Sequence, residues 1–331
     1  MRIAVDAMGG DHAPQDVVLG ALAASRKYGI PVSLFGRPER IEPYLTQENA
    51  AGADYLVVEA AEEILATERP AQAVRQKRHS SIVMGVAAVR EGGADAFVSA
   101  GNTGALMTAS LLGLGKLMRR PALGAVLPTL AGHPLLLLDA GASVDAHPED
   151  LAEYGLLGAL YAERVLRLQR PRVALLNIGT EEGKGNDLVV KAYGLLAHQP
   201  INFVGNIEGR ELISGSADVV VCDGFVGNIT LKVVEGMGMG MMGLVRQELG
   251  KGFQTRLGAL LVRERLRNVA KRLDYETYGG APLFGVRGPV IKCHGSSRSL
   301  AVQSAVRAAH DYVACGAVAA MLEALHQEGE Q

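Results

Sequence analysis

Seven times along this chain a short β-branched or leucine-rich run ends at a polar residue and a glycine, then gives way to a pattern of helical period. The first three are Arg2 to Val5 before Asp6 and MGGDH (8–12), Ala96 to Val98 before SAGNTG (99–104), and Leu135 to Leu138 before Asp139 and Gly141. Four more follow: Val173 to Leu176 before NIGT (177–180), Ile201 to Val204 before Gly205 and Asn206, Val219 to Val221 before Asp223 and Gly224, and Val290 to Ile291 before HGSS (294–297). Strands that alternate with helices need crossover connections, so the pattern predicts an α/β fold with a mostly parallel sheet and helices on both faces. In such sheets the loops after the carboxyl ends of the strands share one edge, where ligands bind. A Gly, Asn, Asp or Ser turn after a strand also serves caps and positive φ. Seven turns of one composition point further, to a shared anion site.

Charge and cysteine content narrow the function. With 33 Lys and Arg against 35 Asp and Glu, the net charge of -2 supplies no basic field for a nucleic-acid backbone, so no nucleic-acid partner is expected. Three cysteines without CxxC spacing make neither a disulfide framework nor a Cys-rich zinc site, and they fit a reducing cytosol. No signal peptide and no run of about 18 uncharged apolar residues is present, so a cytoplasmic chain without a spanning helix is expected. No repeat or Pro/Ser-rich linker divides residues 1–331, which read as a single α/β catalytic unit with room for two lobes. Residues 229–275 break the rhythm: they read as two consecutive helices around Gly250 to Phe253, a helical hairpin insertion.

Several motifs carry chemistry. In SAGNTG the backbone N–H groups and the start of the next helix can face an anion, with Asn102 and Thr103 as neutral donors or as a plain cap. GTEEGKG (179–185) is one residue short of a nucleotide P-loop and has Gly185 where the metal-binding hydroxyl belongs, which excludes that reading. Lys184, between two glycines, is still a flexible cation suited to a phosphate or an oxyanion. Gly238, Gly240 and Gly243 match GxGxxG without a preceding strand; Gly236, Gly240 and Gly243 stand at helical spacing, so close helix packing, within the chain or across a dimer, is the better reading. Asp223 is placed to orient a partner at the site, and Asn228 stands where a cap or donor would. His294, beside Ser296, can donate to phosphate oxygens. Cys222 and Cys293 are better read as small buried residues than as nucleophiles. No HExxH or similar spacing occurs, and neither a metal nor a cofactor is expected.

Taken in order, these segments resemble the bacterial acyl-acyl carrier protein:phosphate acyltransferases of fatty acid and phospholipid synthesis. The resemblance lies in DAMGGDHAP (6–14), SAGNTGALM (99–107), LNIGTEEGKGN (176–186), FVGNIEGR (203–210), CDGFVGN (222–228), YGGAPLFGV (278–286) and HGSS (294–297), and runs to about residue 310. Ser143 departs from the asparagine usual in the family. The resemblance implies a Rossmann-like fold similar to isopropylmalate dehydrogenase and phosphotransacetylase, with a protruding helical hairpin. It implies reversible transfer of a fatty acyl group from the thioester of acyl carrier protein to inorganic phosphate, by direct displacement without an acyl-enzyme. Phosphate binding then falls to Asn102, Thr103 and Ser296. Lys184 or His294 stabilises the oxyanion or protonates the thiolate, and Asp223 with Asn228 orients them.

The resemblance also implies a homodimer that touches the membrane peripherally, near the membrane glycerol-3-phosphate acyltransferase that consumes acyl phosphate. The sequence pattern fits: at about 100° per residue, Ala259, Val262, Leu266, Val269, Ala270 and Leu273 share one face, while Leu257, Leu260 and Leu261 point opposite, among arginines and lysines. Apolar residues ringed by cations suit a shallow membrane contact; a dimer interface covering both sides is the alternative. Two rival functions stay open at this stage, an NAD- and metal-dependent decarboxylating dehydrogenase on the same fold, and a membrane-associated scaffold.

Overall fold

In the computed structural model, residues 1–252, 255, 258–266 and 279–329 are described. The seven runs are strands, and four more join them. In chain order these are β1 (Ile3–Asp6), β2 (Val32–Gly36), β3 (Tyr55–Glu59), β4 (Ala96–Ser99), β5 (Ala122–Pro128), β6 (Pro134–Leu138), β7 (Arg172–Asn177), β8 (Asn202–Glu208), β9 (Val219–Val221), β10 (Ala281–Phe284) and β11 (Val290–Lys292). They form one 11-stranded sheet in the order β3-β2-β1-β4-β11-β10-β5-β6-β9-β7-β8.

Alternation along each strand sends side chains to opposite faces, and both faces are covered. Ile3, Val5, Val98, Leu136, Leu138, Val173, Val219 and Val221 face one continuous core under the helices Gln15–Tyr28, Pro148–Arg164 and Ser299–Ala314. Ala4 and Phe97 face a second core, with the helices Ser81–Arg90 and Thr103–Leu114. Leu135, Leu137, Ala174 and Val220 face a third, against which Leu231 and Val234 of the helix Gly224–Leu249 pack. Burial on both faces explains why these strands read as unbroken apolar runs.

The direction of the strands corrects the expectation of one shared edge. β1, β2, β3, β4 and β11 are mutually parallel, as are β6, β7, β8 and β9, but β10 is antiparallel to both β11 and β5, and β5 is antiparallel to β6. The two parallel sets therefore run in opposite senses. Register then brings their ends together: Ala281 lies opposite Lys292, Leu283 opposite Leu123, and Gly124 opposite Leu138. The last residues of β11 and β6 thus stand at nearly the same level, with β10 and β5 between them. The carboxyl ends of the two half-sheets open onto a central crevice.

Candidate functional site

On the β1 side of the crevice, loops from β1, β4 and β11 lock to one another. The buried carboxylate of Asp6 accepts from Ser99 Oγ (2.7 Å) and from the Met8 N–H (3.1 Å). Gly9 fits only because it lacks a side chain, since a Cβ there would stand 2.3 Å from Asp6 Oδ2 and 2.6 Å from the Gly101 nitrogen. Asp11 N–H donates to the Gly295 carbonyl (2.8 Å), tying in the β11 loop. Burial raises the Asp6 carboxyl above its usual range, against hydrogen bonds from Ser81, Ser99, Met8 and Gly9 that favour the anion.

Lys292, the last residue of β11, is buried and its ammonium donates to the Cys293 carbonyl. Burial pulls the ammonium below its ordinary value, and electrostatic interaction with Cys293, Asp6 and Asp11 pulls it partly back. At the next turn, Nδ1 of His294 lies 2.7 Å from Ser296 Oγ and accepts from the Ser296 N–H at 3.3 Å. In the neutral imidazole this leaves the proton on Nε2, the tautomer that donates from that nitrogen.

On the β6 side, Asp139 organises the turn. Its Oδ1 accepts from the N–H groups of Leu123, Gly141 and Ala142 (each 2.9 Å) and its Oδ2 from Ser143 N–H (2.7 Å). The helix Gly224–Leu249 sits directly on this turn: Gly224 N–H donates to the Ser143 carbonyl (2.9 Å), and a Cβ on Gly227 would lie 1.8 Å from the Asp139 carbonyl oxygen. That contact aims one face of the helix into the crevice, with Asn228, Leu231, Lys232 and Glu235 at positions i, i+3, i+4 and i+7. Burial lifts the Glu235 carboxyl, and the nearby His294 and Lys232 oppose the shift.

Between the two sides lies a cavity of about 320 Å³. Leu123, Ala125, Val126, Leu127, Leu231 and Ala301 make an apolar wall, while Thr103, Asn228, Lys232, Glu235, Lys292, His294 and Ser297 supply its polar groups. Such a cavity can hold a long apolar group with its reactive end among cations and hydrogen-bond donors.

Among the residues singled out from sequence, Thr103, Asn228 and His294 line the cavity. Ser296 supports His294. Asn102 caps the helix Thr103–Leu114, its Oδ1 accepting from Ala105 N–H (3.0 Å) and its Nδ2 donating to the Ala66 carbonyl (3.2 Å). Asp223 likewise caps its helix, with Oδ1 accepting from the N–H groups of Phe225 and Val226 (each 3.0 Å). Lys184 stands on the exposed loop after β7, 3.9 Å from Glu181, and does not line the cavity.

Cys222 is buried behind the Asp139 carbonyl (3.5 Å) and burial raises its thiol well above the ordinary value; Cys293 lines the cavity. Gly236, Gly238, Gly240 and Gly243 lie inside the helix Gly224–Leu249, and among the described residues a Cβ at any of them meets nothing within 4 Å. Residues 258–266 are helical, with Leu260 and Leu261 65% and 83% exposed; Leu257 falls outside the described residues. Lys292, Lys232 and Glu235 were not foreseen. The one signal for Lys292 is a charge closing an apolar run, and for the other two their spacing from Asn228.

Comparisons with known proteins agree with this geometry. The family model described as "Fatty acid synthesis protein" matches residues 1–320. A phosphate acyltransferase of Heliobacterium modesticaldum is 50% identical over 326 residues, spanning 98% of this chain and 97% of that one. Among solved structures, a phosphotransacetylase from Streptococcus pyogenes superposes with a TM-score of 0.65 at 18% identity, over 94% of both chains. A 4-hydroxythreonine-4-phosphate dehydrogenase from Klebsiella pneumoniae does so with a TM-score of 0.52 at 16% identity, over 94% of this chain and 99% of that one. The fold is thus common to transferases and dehydrogenases, and fold alone does not choose between them.

Proposed function

Because the chain belongs to the fatty acid synthesis protein family and is a phosphate acyltransferase, we propose that it carries a fatty acyl group from the thioester of acyl carrier protein to inorganic phosphate, releasing acyl phosphate. The observation that carries this reading is a buried lysine and a serine-held histidine lining a cavity that joins polar groups to an apolar wall. The dehydrogenase reading is not favoured, since relatives at about half identity over the whole chain are phosphate acyltransferases.

Phosphate is already a nucleophile, so the protein's task is to hold it against the thioester carbonyl and stabilise the charge that develops. A phosphate oxygen attacks the carbonyl carbon, the tetrahedral oxyanion collapses, and the carbon–sulfur bond breaks. Lys292 and Lys232 face the cavity as the cations that hold phosphate, with Thr103 and Ser297 as donors. Asn228 and the Nε2–H of His294 serve the oxyanion, and the departing thiolate takes up the proton that hydrogen phosphate gives up on becoming acyl phosphate, with Glu235, whose burial favours the protonated carboxyl, placed to relay it. Lys184, on its exposed loop, is assigned to substrate binding, and Asn102 and Asp223 to holding the two helix starts. The buried, raised thiol of Cys222 fits displacement without an acyl-enzyme.

Incubation with acyl carrier thioester and phosphate tests the reading. Thiol release matched one for one by acyl phosphate supports it; thioester loss giving only free fatty acid would overturn it.

The helix Gly224–Leu249 and residues 258–266 make up the described part of the hairpin. Val233, Met237, Met241 and Leu244 are exposed along the helix, as are Leu260 and Leu261 beyond it. An apolar surface of this extent is a contact surface, and it supports a homodimer and a peripheral membrane contact at the hairpin. Among the described residues no helix is long and apolar enough to cross a membrane.

A further inference from the structure

Residues 69–81 hold Arg69, Arg75, Lys77 and Arg78 and no carboxylate, in a chain whose net charge is -2. The acidic residues that precede them are already engaged. Glu63 pairs with Arg40 (3.0 Å), Glu68 pairs with Lys77 (2.7 Å), and Glu62 accepts from the His79 N–H (2.9 Å). Arg69, Arg75 and Arg78 are left exposed, with no ion-pair partner among the described residues. Arg69 and Arg75, with Gln72 and Gln76, line an open groove along the helix Pro70–Gln76, and the turn leading into it exposes Leu65.

This patch borders the cavity mouth. A Cβ on Gly104 would lie 2.7 Å from the Pro70 ring, and Asn102 Nδ2 donates to the Ala66 carbonyl at 3.2 Å. Thr103, between those two residues, lines the cavity.

We propose that Arg69, Arg75 and Arg78 form the docking surface for an acidic face of the acyl-carrying protein, which delivers its thioester past Thr103 into the cavity. This rests on the reading of the donor given above. Three uncompensated guanidinium groups within one short stretch, two of them lining a groove, with an apolar side chain close by in sequence, match an acidic partner in charge and in contact chemistry. They also steer it on approach, an effect that ionic strength weakens. None of the three lines the cavity, so a small thioester that diffuses in alone has no use for them.

The test compares two donors, acyl carrier protein thioester and a short synthetic thioester of the same acyl group, in wild type, in the triple variant R69E/R75E/R78E, and in R164E as a charge control. The triple variant is expected to raise KM for the carrier thioester at least about tenfold, to lose the salt dependence of that KM, and to use the short thioester as wild type does. R164E should match wild type on both. Equal effects of the triple variant on both donors, no effect on either, or the same rise in R164E would overturn the docking surface. If wild type uses the short thioester but not the carrier thioester, the donor assignment itself fails, a result distinct from a docking failure on a working carrier substrate.

Discussion

Replacing Lys292 by methionine sets stability against turnover. The side chain is 7% exposed at the end of β11, so methionine, unbranched and similar in length, fills the slot and removes the charge together with its hydrogen bond to the Cys293 carbonyl. Breaking a buried ion pair by removing one partner costs about 3–5 kcal/mol when the other charge is stranded. Asp6 is not stranded: Ser99 and the Met8 N–H hold its carboxylate, and burial already lifts its pKa, so it can take up a proton instead. Relief of a desolvated ammonium offsets much of the remainder, and we expect a net change within about 1 kcal/mol, a shift of the thermal midpoint of roughly 1–2 °C for a chain of this length. The rate should fall about 10²-fold or more, as when a preorganised oxyanion or phosphate contact is lost.

The pH dependence gives a second, independent reading. Burial depresses the Lys292 pKa on folding, so between its folded value and the ordinary ~10.4 the unfolded chain binds more protons and stability rises with pH. The stability difference between wild type and K292M should therefore grow in favour of wild type across that window, by at most about 1.4 kcal/mol per pH unit, and flatten above it. Chemical denaturation at several pH values, with acyl phosphate formation measured on the same samples, reads both quantities. Turnover within about threefold of wild type at saturating phosphate would refute the role of Lys292, as would a collapse of stability large enough to account for the lost rate.

Further variants separate the remaining assignments. Cys222→Ser and Cys293→Ser should each keep substantial turnover, and an acyl-enzyme trapped at either cysteine by mass spectrometry would overturn direct displacement. Lys184→Ala should raise KM while leaving kcat within about threefold, in contrast to the kcat loss of about 10²-fold at Lys292; a kcat loss of that size at Lys184 would bring its loop into the chemistry. Gly227→Ala puts a Cβ 1.8 Å from a backbone carbonyl, where nothing can swing away, so it should destabilise by about 3 kcal/mol or more in urea unfolding, at or beyond the upper end for overpacking. Leu260→Glu with Leu261→Glu should weaken binding to anionic vesicles while preserving dimers and soluble activity; a monomeric double variant would assign those leucines to the subunit interface instead.

Six of the seven runs visible in the sequence are strands because burial on both faces of the sheet demands unbroken apolar residues; the seventh, Ile201 to Val204, opens the edge strand β8, which leaves Val204 exposed and continues through Gly205 and Asn206 to Glu208. β5 and β10 escaped notice for a related reason: ALGAVLP and APLF carry alanine, glycine and proline, which favour strands least. Yet those two reverse the direction of the sheet. The reversal rests on pairing Phe284 with Ala122, 162 residues apart, and no local pattern encodes such a register.

The candidate site was legible to the same depth. Asn102 and Asp223 belong to residue types that serve equally as caps and as ligands, and only their hydrogen bonds to Ala105, Phe225 and Val226 show the caps. Lys232 and Glu235 are spaced from Asn228 as on any amphipathic helix, whose polar face usually meets water. What turns that face inward is Gly227, whose missing side chain lets the helix start rest on the Asp139 carbonyl. The contact joins β6 to the segment after β9, and through β5 and β10 it brings Asn228, Lys232 and Glu235 opposite Lys292 and His294. Had β5 and β10 not reversed the sheet, the two sets of loops would lie along one edge, and no cavity would close between Asn228 and His294.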